Sequence, residues 1–154
     1  MDDLIIVPFK EEHIDKVLDF ERELRRQEPD TYYLEPDGAY RDALAASFAD
    51  SRFETGVSFL AMRGGRVIGR IDASLIASRS DAACCSAYLD WICVLKSERH
   101  RKVAQALLRA LRSELRSKNV SLLIALMANN GEAQSFYGSV EGASFHDRGI
   151  WIDI

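Results

Sequence analysis

The chain has 154 residues, 47% of them hydrophobic and 29% charged, which fits one domain with a core large enough to fold alone. Its formal net charge of -4 and pI of about 5.4 argue against a nucleic-acid partner. No stretch approaches the roughly 20 apolar residues of a membrane span, and the acidic start "MDDLIIVPFKEEH", with its short apolar run, leads us to expect no secretory leader. A cytoplasmic protein is expected.

In chain order, "LIIVPF" reads as a short strand. From Glu11 to Gln27, Ile14, Val17, Leu18 and Leu24 recur near helical spacing between charges, predicting a first helix. "EPDTYYLEPDGAY" interrupts with two Glu-Pro-Asp turns. A second helix follows, with Tyr40, Leu44 and Phe48 on one face. "VSFLAMRGGRVIGRIDASLI" is a hairpin signal, because "GG" supplies the positive φ that a tight turn needs. After the loop "SRSDAA", the run "CCSAYLDWICVL" is the next strand.

A long amphipathic helix then carries Val103, Leu107, Leu111 and Leu115 as one stripe, with Glu114 and Lys118 as an i,i+4 pair. "SLLIALM" is a continuous apolar run, consistent with a central buried strand. "NNGEAQSFYGSV" is a short helix, where Asn129 and Glu132 form a capping box and Ala133, Phe136, Tyr137 and Val140 share a face. "ASFH" and "GIWIDI", joined by "DRG", close the chain as a hairpin. The order β-α-α-β-β-β-α-β-α-β-β predicts an α/β fold. Its central sheet is mixed and mostly antiparallel, with one parallel strand pair around a βαβ crossover and helices on both faces. One domain spans residues 1–154.

Neither the three cysteines, Cys84, Cys85 and Cys93, nor the three histidines, His13, His100 and His146, show metal-ligand spacing, so no metal is expected. The stretch "SERHRKVAQALL" is different. Positive charge gathers at a helix start, where the helix dipole disfavours it, and this suggests an anionic ligand held by the unpaired first-turn amides. The alternative is a solvated basic helix start whose side chains cover apolar surface.

These elements and motifs resemble the GNAT family of N-acetyltransferases along essentially the whole chain, most strongly from Tyr88 to Phe145. In that family a strand ends near a hydrophobic residue and leads into Arg/Gln-x-x-Gly-x-Gly/Ala, whose amides hold the pyrophosphate of coenzyme A. Here Val94 ends the strand, and Arg99, His100, Arg101, Lys102, Val103 and Ala104 fall on that pattern. The family's Asn-x-x-Ala-x-x-Phe/Tyr-Tyr and following glycine are matched by Asn130, Ala133, Phe136, Tyr137 and Gly142. Lys102 stands at the family's first glycine, and the Tyr137–Gly142 segment is slightly longer than usual.

The resemblance implies a GNAT acyl-CoA N-acyltransferase fold and acetyl-CoA as acetyl-donor cosubstrate. It implies acetyl transfer by direct attack of a primary amine on a small-molecule or protein acceptor. It leaves room for a homodimer and gives no role to nucleic acid or membrane. Ile92, Cys93 and Val94 would lie along the pantetheine arm, with an N–H near Val94 facing the thioester oxygen, and Asn130 would touch the cofactor or act as a turn residue. A tyrosine at the place of Tyr137 protonates the leaving thiolate, which a phenol of pKa near 10 can do. Asp90, which interrupts "YLDWICVL", is the candidate base; simple alternation puts it on the side of Val94, and a strand bulge would change that. It could instead pair with Arg70. Glu28, Asp30, Glu35 and Asp37, beside Tyr32 and Tyr33, form a loop suited to a cationic amine or simply a solvated loop. Two other readings stand beside this one. They are a catalytically weak or inactive GNAT-fold protein acting as a CoA-binding regulatory or interaction module, and a phosphate-binding α/β domain with another ligand.

Overall fold

The computed structural model describes residues 3–83, 85–147 and 149–154. Strand β1 (Ile5–Pro8) leads through a single 3-10 turn into helix α1 (Ile14–Gln27), then α2 (Gly38–Ser47), β2 (Gly56–Arg63), β3 (Arg66–Leu75) and β4 (Ser86–Val94). Helix α3 (Val103–Ser117), strand β5 (Leu122–Ala125) and helix α4 (Gly131–Gly138) complete the set. The first nine predicted elements are therefore present in the predicted order.

Local chemistry explains most boundaries. Asp37 accepts a hydrogen bond from the Tyr40 N–H and caps α2. Gly64 and Gly65 sit at φ +56° and +74°, the left-handed pair that a two-residue hairpin requires between β2 and β3. Arg25 and Arg26 lie in the last turn of α1, where cations suit the helix dipole.

The strands lie in the order β1-β2-β3-β4-β5. Neighbours are antiparallel except β4 and β5, which run parallel on either side of α3. Helix α1 covers one face: its Glu21 pairs with Arg70 of β3. Helix α3 covers the other, meeting β3 at Gly69, where an added Cβ would lie 3.1 Å from Leu107 and 3.3 Å from Val103. Val17, Phe20 and Leu24 from α1, and Val103, Leu107 and Leu111 from α3, are at most 2% exposed. Each such aliphatic or aromatic burial contributes about 1.5–3 kcal/mol before the entropy of ordering is subtracted. The whole predicted α3 stripe, Leu115 included, is buried. The Glu114–Lys118 pair forms at 3.4 Å with both side chains well exposed, so it adds little.

Two expectations need correction. The run "SLLIALM" is not a central buried strand: β5 is short and lies at the edge of the sheet, with Leu122 54% and Ile124 41% exposed. Its apolar character reflects one covered face and a partner on one side only, which a pattern of apolar residues cannot distinguish from full burial. The closing hairpin is also not formed. Residues 143–147 and 149–154 carry no strand, and Ile150, Trp151 and Ile152 are at least 76% exposed. Short strand-forming sequences gain stability only when a ladder partner is at hand. Cys84, and Arg148 at the centre of the expected "DRG" turn, lie outside the described residues.

Candidate functional site

The site is built where β4 and β5 part. Their ladder covers only Ser86–Leu89 against Leu122–Ala125. Beyond Leu89, β4 runs on through Asp90 to Val94 with β3 bonded along one side only. That leaves a row of main-chain groups facing the gap, into which the Arg99 side chain reaches to donate to the Val94 carbonyl at 3.3 Å. An edge of this kind binds an extended ligand by main-chain hydrogen bonds.

A bulge sets the side chains along the edge. Asp72 faces Trp91 but Ala73 faces Leu89, so Asp90 is the extra residue. Ile92 and Val94 consequently point to the α3 face with Ile71 and Gly69, while Trp91 and Cys93 point to the α1 face with Asp72 and Arg70. The three residues expected along one cofactor arm are thus divided between two faces. Cys93 is buried and donates its S–H to the Tyr32 hydroxyl at 2.9 Å. Burial pushes its thiol up to about 12, so it carries almost no thiolate at neutral pH and is a poor nucleophile.

Asp90 is exposed and accepts from the Ser74 hydroxyl at 2.6 Å. Arg70 is not its partner. The Arg70 guanidinium instead meets Glu21 at 2.9 Å and Asp72 at 2.7 Å, between the rings of Phe9 and Trp91 at 5.0 and 5.5 Å. Tyr40 also donates to Glu21, at 2.8 Å. This is a cation cage of carboxylates and aromatic rings, filled by the protein's own arginine.

At the end of β4, residues Lys96–Glu98 form a short 3-10 turn, and the loop to α3 is wound tightly. His100 and Lys102 stand at φ +60° and +62°. Left-handed backbone costs a residue with a Cβ about 1–2 kcal/mol. Lys102, at the glycine position of the motif, therefore keeps a glycine-like conformation rather than avoiding it. Lys102 is the N-cap of α3 and gives no side-chain cap, and the first helical bond runs from Ala106 N–H to the Lys102 carbonyl. The amides of Val103, Ala104 and Gln105 thus have no acceptor one turn back in the helix.

The positive charges of the loop are less free than the sequence suggests. Arg99 donates to both oxygens of Glu28, at 3.1 and 2.5 Å, and to Glu132 at 2.8 Å. Arg101 and Arg63 both face Glu98. Among the described residues, Lys102 forms no ion pair. Two arginines that seemed to call for an anion already have protein carboxylates, 71 residues away in sequence for Arg99 and Glu28. Nothing local in the sequence signals that pairing.

The loop from Glu28 to Asp37 is similarly engaged. Glu28 holds Arg99, Glu35 pairs with Arg25, and Asp37 caps α2. Tyr32 turns inward beside Trp91, whereas Tyr33 is 84% exposed. Among the described residues, Asp30 is the acid of this loop with neither an ion pair nor a capping bond.

Across the gap, α4 is capped by Asn130, whose side-chain oxygen accepts from the Ala133 N–H at 2.8 Å. This corrects the expected Asn129–Glu132 box: the helix starts one residue later. Tyr137 is half-buried, edge-on to Phe136 at 5.1 Å. Burial, with a smaller contribution from Tyr88 on β4, raises its phenol above the ordinary value of 10. Tyr88 was not expected at the site; only its alternation with Asp90 in the strand hinted at it. Among the described residues, no group of three His, Cys, Asp or Glu gathers as a metal site, and no helix is long and apolar enough to cross a membrane.

Comparison with known proteins agrees with this geometry. The family model described as "Acetyltransferase (GNAT) family" matches residues 17–141. The aminoglycoside acetyltransferase meta-AAC0020, from an uncultured soil metagenomic sample and solved with sisomicin, superposes with a TM-score of 0.80 at 14% identity over 98% of this chain and 96% of its own. The aminoglycoside N-acetyltransferase AAC(6')-Iy, solved with CoA, gives 0.73 at 22% identity over 100% and 96%. A ribosomal-protein-alanine N-acetyltransferase from Brucella melitensis biovar Abortus 2308 gives 0.71 at 12% identity over 97% and 99%. At these identities the likeness establishes the fold alone. No curated protein sequence is significantly similar to the chain.

Proposed function

Because the chain belongs to the GNAT family of acetyltransferases, we propose that it transfers an acetyl group from acetyl-CoA to a primary amine by direct attack. The observation that carries this reading is the edge of β4 from Asp90 to Val94, which pairs with no second strand among the described residues and leads directly into the open amides at the start of α3. One end suits an extended amide-bearing arm and the other a diphosphate.

Acetyl-CoA, when bound, supplies a thioester whose acetyl group an amine can take. The amides of Val103 and Ala104, with the loop residues His100, Arg101 and Lys102, would hold the diphosphate, helped by the helix dipole. Arg99 shapes the loop through Glu28 and the Val94 carbonyl. Ile92 and Val94 line the arm, and the Val94 N–H is the donor for the thioester oxygen. Asn130 contributes through its cap, which fixes where α4 begins. Tyr137 keeps its proton throughout the neutral range and can give it to a departing sulfur. Asp90, exposed and accepting from the Ser74 hydroxyl, takes the amine proton directly or through water. The buried, protonated Cys93 supports direct attack over a covalent acetyl-cysteine.

The acceptor is a primary amine on a small molecule or protein. Solved neighbours include proteins named for aminoglycosides and one named for a ribosomal protein, so the fold does not choose between them. Asp30 and Asp90 are the acids left to meet a cationic acceptor.

The pairing of Arg99 and Arg101 with carboxylates favours a second reading, a CoA-binding module with little turnover. Calorimetric titration with acetyl-CoA, beside dephospho-CoA, and then turnover with an amine panel separates the two. Under the proposed reading, acetyl-CoA binds with micromolar affinity and Tyr137→Phe lowers kcat by on the order of a hundredfold with KM for acetyl-CoA nearly unchanged. Equal loss in both would make Tyr137 a structural support, and absence of binding would reject the proposal.

A further inference from the structure

Helix α4 is short, and little fastens it to the body of the protein. Phe136, Tyr137 and Val140 pack partly against the core. At its far side, Arg112 donates to the Glu141 carbonyl at 3.2 Å. At its near end, Glu132 in the first turn meets Arg99 of the β4–α3 loop at 2.8 Å. Among the described residues this is the ion pair that joins α4 to another element.

The two carboxylates on Arg99 differ. Glu28 grips it with both oxygens, and its side chain is 18% exposed; Glu132 makes one contact and is 55% exposed. One guanidinium charge is therefore faced by two carboxylates, so this trio carries one net negative charge, set beside a loop that also holds the positive Arg101 and Lys102. An anion there raises the energy of a second anion, and water screens the effect without abolishing it. Glu132 works against the cofactor's charge while tying the helix of Tyr137 to the cofactor's loop.

We propose that Glu132 is a positioning residue: through Arg99 it holds α4, and with it Tyr137, in register with the cofactor loop, and this tether weakens cofactor binding. The inference rests on the acetyl-CoA reading above. Its signature is a pair of opposite effects. Removing the charge should tighten the cofactor and slow the reaction, whereas a residue that merely stabilised α4 would give looser binding or no change in binding when altered.

The experiment uses the intact protein and four forms: wild type, Glu132→Gln, Arg99→Gln and the double variant. Acetyl-CoA affinity is measured by calorimetry at low and high salt, and kcat with whichever amine the wild type accepts. Glu132→Gln is expected to bind acetyl-CoA about fivefold more tightly at low salt, an advantage that shrinks as salt rises. Its kcat should fall about tenfold, because a displaced acid loses proton-transfer efficiency steeply. In the Arg99→Gln background, adding Glu132→Gln should leave kcat unchanged, as the tether is already gone. Glu132→Asp should recover part of the lost rate. Weaker or unchanged binding by Glu132→Gln, or additive losses of kcat in the double variant, would overturn the proposal while leaving the acetyl-CoA reading intact. A wild type that fails to bind acetyl-CoA would instead reject that reading itself.

Discussion

At the scale of single residues, Lys102 is the most informative position. Its side chain suggests a lost cofactor loop, yet its backbone sits at φ +62°, as a glycine there would. The loop's shape is imposed by what surrounds it: Arg99 is anchored to Glu28 and Val94 on one side, and the first turn of α3 is packed through Val103 on the other. Lys102→Gly should therefore raise stability by about 1 kcal/mol, the left-handed penalty less the added freedom of the unfolded chain. The urea midpoint reads this directly; a lower midpoint would mean that the lysine side chain supports the loop. The same variant should bind acetyl-CoA roughly threefold more weakly at low salt and equally at high salt, since only a screened charge is lost. Cys93 is a second case in which environment outweighs identity. Residue type alone allows a nucleophile, but burial under Tyr32 keeps the thiol protonated.

At the scale of elements, the decisive contact is between β3 and α3. Gly69 leaves room for Leu107 and Val103, and a Cβ there would also lie 3.1 Å from the Cys93 carbonyl. Gly69→Ala should push α3 away from the sheet at its first turn, where the amides proposed to hold the diphosphate start. A loss of about 1–3 kcal/mol is expected, as for other overpacked sites, with weaker acetyl-CoA binding in calorimetry. An unchanged melting temperature would show that α3 can shift freely, and the loop geometry would then not depend on this packing. The hairpin glycines, the α3 stripe and the caps of α2 and α4 all follow from local rules. The bulge at Asp90 does not. It reverses the facing of the rest of β4, placing Cys93 with α1 and Val94 with α3, because ladder pairing with β3 outranks simple alternation.

At the scale of the whole molecule, Glu21 links α1 to the sheet through Arg70 and to α2 through Tyr40. It is 6% exposed, and its Oε2 has no hydrogen-bond partner among the described residues. Burial raises its pKa above the ordinary value of 4.5, although Tyr40 and Arg70 work in the opposite direction. The folded state therefore binds this proton more tightly than the unfolded state does. Stability contributed by Glu21 is present below pH 4.5 and declines as pH rises from there to the raised folded value. Denaturation across pH 4–7 should show a smaller decline for Glu21→Gln than for wild type. An identical slope would mean that Arg70 and Tyr40 fully offset the burial of the carboxylate.

Local physics specified the first nine elements in order, the tight Gly64–Gly65 turn, the buried stripe of α3 and the family to which the chain belongs. Periodicity and turn residues act over a few positions, so they are legible in one dimension, whereas the cap of α4 fell one residue later than its sequence suggests. Tertiary structure decided the rest. It set β5 at an edge and left the described residues after α4 without a strand, because strands need partners that the pattern does not name. It gave Arg99 to Glu28 and Glu132, Arg70 to Glu21 and Asp72, and Cys93 to Tyr32. Those pairings join residues far apart in the chain, and charge or hydrogen-bonding capacity alone does not say which partner a folded backbone will bring within reach.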